Sequence, residues 1–131
     1  MRTSASNKKI REIVTGLRDG RIVPQPEFQR RLVWAQKHKN AFIRTVLEGY
    51  PFPEVYFANG DVDLESGEGS ILIVDGQQRL TTIFEYFSNS SELKLERDIG
   101  PYKNLGEEEK KSFLDYDVVV RDLGSLGLED I

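Results

Sequence analysis

The stretch Ile71-Leu72-Ile73-Val74-Asp75-Gly76-Gln77-Gln78-Arg79-Leu80-Thr81-Thr82-Ile83 constrains this chain more than any other. Four apolar residues in a row suit a short strand covered on both faces. Gly76 permits a turn that a residue with a Cβ resists. Leu80, Ile83, Phe84 and Phe87 then recur at helical spacing. A strand that feeds a helix through a glycine turn presents backbone N–H groups at the positive end of the helix dipole, which is a natural anion site. Here the turn also carries an acid, two amides and an arginine within five residues, Asp75 to Arg79.

The rest of the chain predicts an alternation of helices and short strands. Ser6 or Asn7 caps a first helix to about Arg18, with Ile10, Ile13, Val14 and Leu17 as its apolar stripe. Arg21–Val23 reads as a strand stopped by Pro24, and Pro24 and Pro26 hold the next segment extended. A second helix spans about Gln36 to Glu48, lined by His38, Phe42, Ile43, Val46 and Leu47 and stopped by Gly49. Tyr50-Pro51-Phe52-Pro53 is a stiff connector to a strand at Glu54–Ala58. Residues 59–70, rich in glycine and acids, read as a mobile loop or a hairpin tip. The third helix runs from about Gln78 to Phe87, broken by Asn89-Ser90-Ser91. Leu93-Lys94-Leu95 reads as a short strand, Leu105–Glu109 opens a fourth helix, Asp117–Arg121 is a strand, and Ser125 caps one more helix.

Bulk properties narrow the function. With 131 residues this is one domain, read as the N-terminal part of a longer protein or a truncated fragment. There is no cysteine, which excludes disulfides and thiol chemistry, and His38 is the single histidine, which excludes a two-histidine site. No apolar run approaches a membrane span and the N-terminus lacks the apolar core of a signal peptide, so a cytoplasmic address and no membrane partner are expected. The net charge of -4 hides an asymmetry between residues 1–50, net +7, and residues 51–131, net -11. Either the two halves pack together and neutralise each other, or Lys8, Lys9, Arg11, Arg18, Arg21, Lys37, Lys39 and Arg44 form a surface for an anionic partner such as DNA.

Three blocks occur in order: Pro26-Glu27-Phe28-Gln29-Arg30-Arg31-Leu32-Val33-Trp34, Gly49-Tyr50-Pro51-Phe52-Pro53, and Val74-Asp75-Gly76-Gln77-Gln78-Arg79-Leu80-Thr81-Thr82. From about Ile10 to Val120 the chain closely resembles the domain of unknown function 262 family, which comprises the DGQQR-motif N-terminal domains of GmrSD-type modification-dependent restriction enzymes and of SspE-like defence proteins. The resemblance implies an α+β fold of the ParB/sulfiredoxin-like superfamily, with a small mixed β-sheet and surrounding helices. It implies a nucleotide-binding domain, an NTPase with Mg²⁺, acting as the sensor or regulatory module of a DNA-modification-dependent restriction or phage-defence system. The alternatives are a DNA-binding module on the basic N-terminal half, or a ParB-like nuclease domain. DNA would be met through an effector domain or partner protein, and a homodimer is a further expectation. Sulfiredoxin chemistry is excluded by the absence of cysteine.

Each candidate residue has a functional and a structural reading. Arg79 clamps a β- or γ-phosphate, or pairs internally with Asp75. Asp75 holds Mg²⁺ or orients a catalytic water, or caps the helix. Gln77 and Gln78 bond phosphates or position a water, or stabilise the turn. Gly76 lets the backbone approach a phosphate, or simply makes the turn. Thr81 or Thr82 reaches a phosphate or metal, or packs. Gln29 and Arg30 face the turn across a cleft, with Arg30 as a second phosphate contact, or lie on the surface. Trp34 anchors the core or stacks on a base. Glu107-Glu108-Glu109 is a solvated helix start.

Overall fold

The computed structural model describes residues 3–24 and 34–125. Among these, the helices are α1 (Ile10–Asp19), α2 (Gln36–Leu47), α3 (Gln77–Ser88) and α4 (Glu107–Leu114), with a 3-10 turn at Tyr102–Asn104. The strands are β1 (Ser4–Lys9), β2 (Ile22–Val23), β3 (Val55–Val62), β4 (Gly69–Asp75) and β5 (Asp117–Asp122). They form one five-stranded mixed sheet of order β1-β5-β3-β4-β2, so the fold is α+β. β1 runs antiparallel to β5, β3 antiparallel to β4, and the β3–β5 and β2–β4 pairs are parallel.

Period-2 alternation decides which sheet face is buried. Val55, Phe57, Ile73, Val118 and Val120 are at most 2% exposed and join Ile10, Ile13, Val14, Ile43, Leu80 and Ile83 of the helices in one core. The alternate positions Tyr56 and Arg121 are only half-buried, and Val119 is exposed. The expectation of a strand covered on both faces at Ile71–Val74 therefore gives way: Ile73 alone of the four is fully buried, and the helices cover one side of the sheet.

Other expectations also shift. The first helix begins at Ile10, not at Ser6 or Asn7. Those residues pair with Val120 and Val119 as β1, and the long-range ladder overrides their local capping preference. The helix start is instead held by Glu12, whose Oε1 accepts the Lys9 N–H at 3.1 Å. Residues 59–62 and 69–70 continue β3 and β4 as a hairpin, and only its tip is a loop, where Asp63 Oδ1 accepts the Glu65 N–H at 2.9 Å. That bond holds the Asp63 carboxyl below its usual range. His38 and Leu47 do not line the buried side of α2; Lys39 and Asn40 do, beside Phe42, Ile43 and Val46.

Leu93-Lys94-Leu95 is not a strand. Its backbone bonds to side chains rather than to another strand. Gln36 Oε1 accepts the Lys94 N–H at 2.8 Å and Gln36 Nε2 donates to the Glu92 carbonyl at 2.9 Å. One helical turn on, Asn40 Oδ1 accepts the Glu96 N–H at 2.9 Å and its Nδ2 donates to the Lys94 carbonyl at 2.9 Å. Two amides at i and i+4 on α2 thus replace a neighbouring strand. Arg44, a further turn along, forks onto Asp98 at 2.7 Å and also meets Glu96. Lys39, buried with its amine 2.9 Å from Glu85, ties α2 to α3.

The helix predicted after Ser125 lies outside the described residues. No helix among them is long and apolar enough to cross a membrane.

Candidate functional site at the start of α3

β4 ends at Asp75, the chain turns at Gly76, and α3 begins at Gln77. Gly76 is the N-cap, with φ of 97° and ψ of 14°, and as a glycine it brings no capping side chain of its own. That left-handed conformation strains any residue with a Cβ. Space excludes one as well: a Cβ would lie 2.4 Å from Val55 Cγ1 and 2.8 Å from Val55 Cβ. The sequence places glycine here because β3 passes directly under the turn.

The register of β4 also changes beside the turn. Tyr56 lies opposite Asp75 while Phe57 lies opposite Ile73, so Val74 is the extra residue of a β-bulge. The bulge brings Asp75 level with Tyr56, which in turn is level with Arg121 of β5. Tyr56 Oη donates to Glu54 Oε1 at 3.1 Å, and the other oxygen of Glu54 lies 3.5 Å from Arg121 Nη2. The bond to Glu54 and its negative charge push the Tyr56 hydroxyl above its ordinary range. Asp75 itself is exposed. It is not the helix cap that one reading of the sequence expected, since Gly76 holds that position without a side-chain bond.

Arg79 does not form the internal ion pair with Asp75 that its structural reading offered. Its Nη1 donates to the Pro53 carbonyl, and its guanidinium carbon sits 5.7 Å from the centre of the Phe52 ring. Burial lowers its pKa and the nearby Asp75 charge opposes that shift, so the group stays cationic. Gln77 is 8% exposed, and Gln78 Oε1 accepts the Trp34 backbone N–H at 3.1 Å. The Thr81 hydroxyl donates to the Gln77 carbonyl at 2.8 Å. Thr82 is closed to solvent, and its hydroxyl is the one buried side-chain polar atom without a hydrogen-bond partner among the described residues. Removing that orphan by Thr82→Val is expected to stabilise the fold by about 1 kcal/mol; a lowered melting temperature would mean that the hydroxyl is bonded after all.

Trp34 is half-buried and meets the Phe42 ring edge-on at 5.5 Å, a packing role. Phe28, Gln29 and Arg30, and with them the cleft expected between Gln29–Arg30 and the turn, lie outside the described residues. Among the described residues no group of three or more histidine, aspartate or glutamate side chains is arranged to hold a metal. Glu107–Glu109 form the first turn of α4, with Glu109 Oε1 accepting the Gly106 N–H at 3.2 Å, as a helix start should.

Sequence reasoning missed Phe52, Pro53, Glu54, Tyr56 and Arg121. The available signal was the order of the three blocks. The structure lays the second, Gly49–Pro53, against the third, through Arg79.

Four cations of the basic half pair with acids of the acidic half. Lys9 meets Asp117 at 2.9 Å, Arg11 meets Asp115, Lys39 meets Glu85 at 2.9 Å and Arg44 meets Asp98 at 2.7 Å. Arg18 and Arg21 both lie against Asp19 of the basic half itself. These are mostly exposed pairs and contribute little stability, but they occupy cations that a DNA surface would need.

The sequence profile of one family, described as the GmrSD restriction endonuclease N-terminal domain, matches residues 10–125. The chain belongs to this family. The uncharacterized protein MJ0686 of Methanocaldococcus jannaschii is 29% identical over 120 residues, covering 78% of this chain and 20% of that protein. The chain thus spans about a fifth of the length of this relative. No solved structure matches.

Proposed function

We propose that the turn from Asp75 to Arg79 binds a nucleoside triphosphate with Mg²⁺ and hydrolyses it, as the sensor or regulatory module of a restriction or defence system that responds to DNA modification. The observation that carries this reading is the glycine N-cap of α3. It opens a 12-residue helix at the carboxyl end of a strand, so the first N–H groups of α3 and the positive end of its dipole lie at the Asp75–Arg79 turn. Membership of the family of restriction-endonuclease N-terminal domains supports the biological setting. The ParB/sulfiredoxin-like superfamily implied by the resemblance belongs to the same proposal, supported by the mixed sheet with helices on one side.

Asp75, exposed beside the turn, is the residue to hold Mg²⁺ directly or through water. One carboxylate together with substrate phosphates is a usual Mg²⁺ set, so the lack of a three-acid cluster among the described residues fits a metal carried by a nucleotide better than a metal-dependent nuclease. When bound, Mg²⁺ would neutralise phosphate charge. The α3 amides would hold phosphate oxygens, the Gln77 and Gln78 amides would orient phosphate or water, and Arg79 would add a fixed positive charge beside the helix end. Arg30 is the second arginine of this reading.

The test is calorimetric titration of ATP, GTP, CTP and UTP, with and without Mg²⁺, into the wild type and Asp75→Asn. Binding by wild type that strengthens with Mg²⁺, and loses that dependence in Asp75→Asn, is the expected result. The absence of heat with all four nucleotides at millimolar concentration would sink the reading.

A further inference from the structure

The first turn of α3 and the aromatic residues beside it form a closed circuit of contacts. Arg79 leaves the helix to meet the Pro53 carbonyl and the face of Phe52. Phe52 meets Phe42 edge-on at 5.0 Å, and Phe42 meets Trp34 edge-on at 5.5 Å. The Trp34 backbone N–H then returns to the helix at Gln78 Oε1, 3.1 Å away. Gln78 is the neighbour of Arg79, so the path leaves α3 at one residue and comes back at the one before it. Phe52 also stacks on Tyr116, with ring centres 5.6 Å apart and planes within 4°, and the Tyr116 hydroxyl donates to the Tyr50 carbonyl at 2.6 Å. The hub is therefore tied to the residue that precedes β5.

We propose that Phe52 is a positioning residue of the site. It fixes the plane of the Arg79 guanidinium and, through Phe42, holds Trp34 on Gln78, so that the DGQQR turn and Trp34 share one register. The proposal deepens the triphosphate reading above and rests on it for the ligand. The physical case is preorganisation. A free arginine loses several rotors on binding a phosphate, whereas one clamped by a carbonyl and a ring face has already lost them. Only one guanidinium nitrogen bonds Pro53, and the planar fork has five N–H donors in all, so charge and donors remain for an anion. The ring face attracts the cation and favours one plane for the fork. Phe52 itself needs to touch no ligand.

Trp34 is the chain's single tryptophan, so its fluorescence reports the far side of the circuit directly. Acrylamide quenching would be measured on the whole chain as wild type, Phe52→Leu and Phe52→Tyr. The triphosphate that binds wild type most tightly would then be titrated with Mg²⁺ into each. Phe52→Leu keeps apolar volume but removes the ring. It is expected to raise the quenching constant about twofold and to weaken the triphosphate about tenfold, while Phe52→Tyr keeps both at the wild-type value. Arg79→Met removes the same contact from its other end and serves for quenching should Phe52→Leu not fold.

Unchanged quenching in the folded variant overturns the circuit. A quenching response with undiminished binding in Phe52→Leu overturns the positioning role. If wild type binds no triphosphate yet quenching responds and is rescued by tyrosine, the circuit stands and the triphosphate reading falls.

Discussion

Gly76→Ala is expected to destabilise the domain by about 4 kcal/mol, the sum of a non-glycine residue held at positive φ and an overpacked contact. The backbone at this position has φ of 97°, and the new Cβ would meet Val55 Cγ1 at 2.4 Å. Val55 is fully buried on a central strand, so neither partner can move aside cheaply. Urea unfolding of Gly76→Ala, Val55→Ala and the double variant measures the two parts separately. The double variant should recover the part of the steric share that comes from Val55 Cγ1, giving a favourable coupling of roughly 1 kcal/mol, and retain the conformational share together with the contact to the Cβ at position 55, 2.8 Å away. A loss below about 1 kcal/mol in Gly76→Ala would show that the turn does not hold the left-handed conformation.

Asn40→Ala is expected to cost about 3 kcal/mol, because it removes a fully buried side chain that makes three hydrogen bonds and leaves the Lys94 carbonyl and the Glu96 N–H without their partner. Asn40→Asp keeps the acceptor for the Glu96 N–H but loses the two donors and buries a charge, so it should fare no better. Gln36→Ala, whose amide makes the same pattern of bonds at a partly exposed position, should cost about 1 kcal/mol. Thermal unfolding orders the variants, and hydrogen exchange at the Glu96 amide shows whether the segment around Lys94 has come loose. Equal effects at positions 36 and 40 would mean that burial does not set the cost.

The elements that were legible in the sequence are those whose pattern is local. The apolar spacing of Leu80, Ile83 and Phe87 marked α3, the β-branched run at Val118–Val120 marked β5, and the apolar residues ending at Val74 marked β4. The illegible ones are decided by partners far along the chain. Ser4–Lys9 carries no strand signal and becomes a strand because β5 lies beside it. Leu93–Leu95 carries one and stays outside the sheet because α2 supplies amides where a strand would otherwise be. His38 and Asn40 sit on one helix and a helical wheel favoured the wrong one. Burial of Asn40 depends on backbone groups 54 and 56 residues away.

The candidate site divides along the same line. The sequence alone determined that an acid, a glycine, two amides and an arginine stand where a strand becomes a helix, because strand and helix periodicities are written in neighbouring residues and glycine marks the junction. It also determined the family, through three blocks in order. Only the tertiary structure decided where the side chains go. Arg79 turns to Pro53 and Phe52 rather than to Asp75. Asp75 is brought beside Tyr56 by a bulge at Val74, and Gln78 is spent in part on Trp34. A side chain chooses among partners by distance and desolvation, and both are properties of the packed chain rather than of any segment of it.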